Sequence, residues 1–109
     1  MQQQKRNSLL TKKKEGFMFR IRKYHEKKVM SLTYDGENTF SVGIIAVGEF
    51  AFGALIDEYY RITSGEIDFW NDETERWVNY KESQEFKVKK GHNYKLKVDG
   101  VSSYICFYK

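Results

Sequence analysis

The sequence predicts an all-β domain, an antiparallel sandwich or barrel. Apolar residues alternate at period two from residue 17 onward. Clusters of Gly, Asn, Asp and Ser separate the alternating runs. No helical period is sustained beyond one weak start near residues 8–16. With 109 residues the chain has the size of one domain. Its aromatic content of 17%, from 8 Tyr, 8 Phe and 2 Trp, means that rings must dominate the core. Proline is absent, so the turns fall to 8 Gly and to Asn, Asp and Ser.

In order along the chain, Phe17, Phe19 and Ile21 stand at period two, and the segment 17–23 is apolar enough on one face to add an edge strand. That strand belongs either to its own barrel or to a partner. Val29, Ser31 and Thr33 form one face of the next run, with Met30, Leu32 and Tyr34 on the other. Asp35-Gly36-Glu37-Asn38 signals a hairpin turn. The run 39–52 is apolar enough for a central strand or a bent pair, with Gly43 and Gly48 marking bulges or bends. Residues 58–64 alternate again and stop at Gly65, and 66–70 form another strand before the polar turn Asn71-Asp72-Glu73. Trp77 to Tyr80 and Glu85 to Val88 are short strands, and Gly91-His92 turns the chain. Tyr94, Leu96 and Val98 alternate, Asp99-Gly100 turns, and Tyr104 to Tyr108 closes the chain. The count is eight to ten strands, with no internal repeat.

The net charge of +4 is unevenly placed. Residues 1–30 hold ten Lys or Arg against two acids, and residues 31–109 hold nine against thirteen. The basic character belongs to the N-terminal segment, which argues against a nucleic-acid-binding module. Residues 1–16 read as a mobile tail, because they are polar and carry a like-charge run. No apolar run is long enough for a membrane helix, and no signal peptide is visible. The single cysteine, Cys106, forms no internal disulfide, which points to a cytoplasmic location.

The sequence holds no glycine-rich phosphate loop, no paired-cysteine zinc motif and no Ser-His-Asp set. His25 and His92 are far apart and read as surface or turn residues. One spacing does stand out. Glu58 is followed by six residues and Gly65, Phe50-Ala51-Phe52 precedes it, and Gly91-His92-Asn93-Tyr94 follows. This resembles the metal-binding frame of a cupin barrel, with Phe50, Phe52 and Tyr94 where the histidines would be. The Phe50 and Phe52 rings offer a metal no lone pair, and the Glu58 carboxylate with the Tyr94 phenol is too few ligands, so a metal-free, cupin-type (RmlC-like jelly-roll) barrel is expected.

Longer motifs sharpen the resemblance. They are the run Ser41 to Phe52, the spaced residues from Glu58 to Phe69, Trp77 with Tyr80, Phe86 to Val98, and Tyr104 to Tyr108. In order and spacing they resemble the pyrimidine/purine nucleoside phosphorylase family of small bacterial cupins, from residue 24 to the end. The resemblance implies a basic extension at 1–23, partly disordered, and a phosphorylase domain at 24–109. It implies that inorganic phosphate displaces the base of many purine and pyrimidine ribonucleosides. It further implies a homodimer that uses no metal or other cofactor, while the charge distribution and the lack of a long apolar run argue against nucleic-acid and membrane partners.

Such a reaction needs a carboxylate near the sugar, a surface for the base and a cationic cradle for phosphate. Glu58 is the expected catalytic residue, on one face with Tyr60, Ile62 and Ser64. Phe50, Phe52 and Tyr94 are expected to hold the base, with Tyr60, Ser64 and Tyr104 beside them and Cys106 behind the same lumen. For phosphate, Thr39 stands where the family commonly has Arg, and Arg61 has the opposite parity to Glu58. Lys89 and Lys90, on the turn before Gly91, are the expected phosphate ligands. Two other classes remain open: a non-catalytic module that binds a nucleoside or another small planar ligand, and a structural dimer with a filled lumen.

Overall fold

Strands form where the alternation places them. A computed structural model describes residues 18–108, and the tail expected at 1–16 lies outside the described residues. Ten strands occur among them: β1 (Met18–Tyr24), β2 (Val29–Asp35), β3 (Phe40–Ile45), β4 (Gly48–Gly53), β5 (Glu58–Ser64), β6 (Glu66–Asn71), β7 (Trp77–Lys81), β8 (Glu85–Val88), β9 (Asn93–Val98) and β10 (Ser102–Tyr108). They make a six-stranded sheet ordered β1-β2-β3-β10-β5-β8 and a four-stranded sheet ordered β4-β9-β6-β7. All pairings are antiparallel. The run 39–52 is thus a bent pair whose halves, β3 and β4, lie in different sheets. The division expected between residues 23 and 24 would cut β1 from the domain, whereas β1 pairs with β2 along its whole length and residues 18–23 belong to the sheet. The edge strand therefore belongs to its own chain.

Burial of the inward faces of both sheets holds the fold together. Ile45, Ile62, Ile67 and Leu96 are 0–1% exposed and join one core cluster with Phe69 and Phe86. Phe86 stacks between Tyr60 (4.8 Å) and Phe69 (4.2 Å), which bridges the two sheets with rings rather than aliphatic chains.

The inner face of the larger sheet changes character from one edge to the other. One cross-strand row runs Phe86, Tyr60, Cys106, Ser41, Thr33, Arg20. The next runs Ile62, Tyr104, Gly43, Ser31, Arg22. The first row is apolar at β8 and the second at β5, and both become hydroxylic toward β2 and cationic at β1. Gly43 is required here, because a Cβ at this position would overlap the Tyr104 ring. Gly65 turns β5 into β6 at φ +82°, and a Cβ there would meet Ser102.

The turn joining β1 to β2 holds His25, Glu26 and Lys27 in the left-handed region, which non-glycine residues rarely visit. His25 offsets part of that strain. Its Nε2 lies 3.2 Å from the Ala51 carbonyl, and its ring packs on Phe50 and Phe52. No helix among the described residues is long and apolar enough to cross a membrane.

Candidate functional site

A cavity of about 760 Å³ opens between the sheets. β5 brings Glu58 and Tyr60 to it, β4 brings Phe52, and β9 brings Tyr94. Tyr104 and Tyr108 line it from β10. The strands converge there because Tyr94 is the register partner of Phe52 and Glu58 that of Tyr108. Phe52 and Tyr94 stack at 5.4 Å, which gives the cavity one flat aromatic wall. Leu55 and Ile56 stand at its side, largely exposed.

Glu58 is held on one oxygen. Tyr94 Oη donates to Glu58 Oε1 at 2.7 Å, and Tyr60 Oη lies 3.3 Å from the same atom. The two phenols are 2.7 Å apart. Each has one proton, and that of Tyr94 is committed to Glu58, so Tyr60 donates to Tyr94. Glu58 Oε2 has no partner among the described residues and is left for a ligand.

Burial raises the Glu58 carboxyl above the usual carboxylate range, and the hydrogen bond from Tyr94 partly holds it down. The Tyr60 and Tyr94 phenols are themselves raised, chiefly by burial, and stay neutral donors. Burial and the Glu58 charge push the Cys106 thiol up to about 12, so it is inert at neutral pH.

The raised carboxyl has a measurable consequence. A carboxyl that holds its proton more tightly when folded stabilises the fold as pH falls through its raised value, and that contribution is lost as pH rises. Glu58→Gln keeps an oxygen for Tyr94 and removes the buried charge. We expect the variant to melt above the native protein at about pH 8 and to lose that advantage by about pH 4, seen by thermal denaturation across the series. A constant difference at every pH would contradict the assignment.

The expected site is gathered in part. Glu58, Phe52, Tyr60, Tyr94 and Tyr104 all line the cavity. Phe50 does not: it is 6% exposed and lies in the core cluster, with the His25 ring 5.2 Å away. Ser64 is exposed, because Thr63 forms a bulge between the pairs Ile62↔Tyr104 and Ser64↔Ser103 and turns the strand over. Thr63 and Ser64 both bond Ser103 Oγ instead, at 2.6 and 2.8 Å.

Lys89 and Lys90 stand exposed on the turn before β9, outside the cavity lining, where the Lys90 amide bonds Asp57. Arg61 faces out, as its parity predicts, and pairs with Glu85. His92 pairs with Asp72 at 2.7 Å on the same turn as Lys89 and Lys90.

Sequence reasoning missed the β1–β2 side of the cavity: Arg20, Arg22, Ser31, Thr33 and Asp35. The alternation in 17–23 carried that signal, since the face opposite Phe19 and Ile21 is Arg20 and Arg22. Thr39 also lines the cavity. The position where the resemblance expects Arg is therefore in the wall but has no charge.

Among the described residues no three of His, Cys, Asp and Glu gather as metal ligands. Glu58 with two phenols and a phenyl ring does not fit the ion that a cupin frame would hold.

The family model for pyrimidine/purine nucleoside phosphorylase matches residues 19–108. A pyrimidine/purine nucleoside phosphorylase from Shewanella halifaxensis is 28% identical over 92 residues, covering 84% of this chain and 99% of that one. One from Pseudomonas syringae pv. tomato is 27% identical over 93 residues, covering 84% and 100%. Among solved structures, a protein of unknown function from Vibrio parahaemolyticus superposes with a TM-score of 0.79 at 24% identity, covering 84% of this chain and 99% of that one. A cupin superfamily protein from Desulfitobacterium hafniense superposes at 0.64 with 14% identity, covering 80% and 79%. The fold is the cupin-type barrel.

Proposed function

The chain belongs to the pyrimidine/purine nucleoside phosphorylase family, and we propose that it cleaves purine and pyrimidine ribonucleosides with inorganic phosphate. The products are the free base and α-D-ribose 1-phosphate. A phosphate oxygen forms a bond to C1′ as the C1′–N bond breaks. The electron pair of that bond leaves with the base, which takes up a proton from water. The transition state carries positive charge on the sugar, as in glycoside cleavage.

The observation that carries this reading is Glu58. Its Oε1 is pinned by Tyr94, and its Oε2 is unpaired among the described residues and free for the ribose. Because Tyr94 and Tyr60 fix the carboxylate before substrate arrives, its charge needs no reorganisation in the transition state. The Phe52–Tyr94 wall supports broad base tolerance, since every base has a π-face and stacking reads no edge. The donor set supports a reaction without a metal. The free, buried Cys106 is in keeping with a cytoplasmic location.

A binding module without turnover is the second reading, favoured by the uncharged Thr39 in the cavity wall. The experiment that separates them is base release from uridine, inosine and guanosine with and without phosphate. Release of several bases only when phosphate is present supports the phosphorylase. Saturable nucleoside binding with no release supports the module.

We also propose a homodimer through the outer face of the larger sheet. Phe19, Ile21, Met30, Leu32, Val42 and Ile44 on β1–β3 are 38–70% exposed there. So contiguous an apolar face marks an interface.

A further inference from the structure

One side of the cavity carries charge that the scheme above leaves unassigned. β1 turns Arg20 and Arg22 toward it, in register with Thr33 and Ser31 of β2. They are the only cationic side chains among the described lining residues. Arg20 is held by Asp35 through Nε and Nη2, the latter at 2.8 Å. That pairing fixes the guanidinium plane and leaves Nη1 with two free donors. Arg22 is exposed and has no partner among the described residues.

Ser31, beside Arg22, is only 8% exposed, and its hydroxyl has no partner among the described residues either. A buried hydroxyl without a protein partner calls for a ligand or water. Gly43, the register partner of Ser31 on β3, carries no side chain, and the Tyr104 ring lies over it.

The Tyr24 phenol is raised by burial and the Glu58 charge and lowered by Arg20.

We infer that Arg20, Arg22 and Ser31 form the phosphate subsite of this chain, supplying from β1 and β2 the charge that Thr39 lacks. The inference rests on the phosphorolysis reading for its direction of attack, with phosphate at β1–β2 and the ribose between it and Glu58. A phosphate dianion has oxygens for two guanidinium groups at once, which charge-assisted pairs recognise with directional bonds. Arg20 is the ligand preoriented by Asp35, and Arg22 is the exposed second ligand.

The test is inorganic phosphate binding by the full chain at constant ionic strength, read by thermal stabilisation and phosphorus NMR. The chains compared are native, Arg20→Gln, Arg22→Gln and the double variant. The native protein is expected to saturate. Each single variant should bind phosphate at least about tenfold more weakly and the double variant should not bind it, while inosine binding stays within about twofold. In turnover, the phosphate KM rises and kcat at saturating phosphate changes little. Arg22 is exposed and outside the core, so its variant keeps the fold. Lys90→Gln should bind phosphate as the native chain does.

Phosphate binding that is absent from the native chain, or unchanged in both Arg variants, overturns the subsite. Arg-dependent phosphate binding with no base release overturns phosphorolysis and keeps the subsite. Base release with an unchanged phosphate KM in both variants does the reverse.

Discussion

Phosphate-dependent base release should fall by about 10²- to 10³-fold in Glu58→Gln, the loss typical of removing one preorganised electrostatic contact from a transition state. The amide is isosteric and keeps the oxygen that accepts from Tyr94 Oη at 2.7 Å, so the aromatic wall and the cavity survive. Only the charge facing the sugar is removed. Nucleoside binding should therefore weaken little, with the loss in kcat. Tyr94→Phe tests the support separately, because the carboxylate stays while its donor goes. A loss of about tenfold or more is expected, in line with about 1.5–3 kcal/mol for one hydrogen bond to a charged group. The pH profile gives an independent check. Burial raises the Glu58 carboxyl, so native activity should decline on acidification above the ordinary carboxylate range, and that decline should vanish in the glutamine variant. Release in Glu58→Gln within about twofold of native, at full phosphate dependence, would remove Glu58 from the chemistry.

Parity along single strands made much of this site legible. Glu58, Tyr60 and Ile62 alternate inward on β5 as written, and Phe52 and Tyr94 meet because the spacing around Glu58 and Gly91 fixes which residues face the lumen. The failures are equally specific. Ser64 shares the parity of Glu58, but the Thr63 bulge reverses it, and a bulge is set by the partner strand. On β2 the alternation reveals two faces without saying which is inside. Ser31 and Thr33 are buried while Met30 and Leu32 are exposed, the opposite of what hydrophobicity alone favours. That inversion arises because the small hydroxyls face the cavity and the larger apolar side chains face outward. Lys89 and Lys90 follow Val88, the register partner of Glu58, but stand on the turn beyond the strand and outside the cavity lining. Arg20 and Arg22 reach the cavity through pairings between residues 13 and 9 apart, which no local pattern records.

That same inversion underlies the second large effect. The native protein is expected to sediment as a dimer, and the double variant Leu32→Glu/Ile44→Glu as a folded monomer. Leu32 is 42% exposed and Ile44 59%, so neither substitution buries a charge within the chain. Leu32 lies between Ile21 and Val42 in one cross-strand row. The neighbouring row carries Phe19, Tyr34, Phe40 and Phe107, whose successive ring centroids are 5.4, 5.7 and 6.3 Å apart. A face of this kind can supply the roughly 800 Å² per partner of a stable interface. Two unpaired carboxylates at its centre cost about 3 kcal/mol or more, which weakens association by at least about 10²-fold. Val101→Glu, on the turn before β10 and away from this face, should remain dimeric. A native protein that is monomeric at micromolar concentration would end the proposal. The effect should extend to the cavity, because among the described residues β1 is an edge strand paired only with β2. Its outward residues Phe19 and Ile21 would hold the partner while its inward residues Arg20 and Arg22 would hold phosphate. Loss of the partner frees one side of that strand, so the monomeric variant should raise the phosphate KM more than the nucleoside KM.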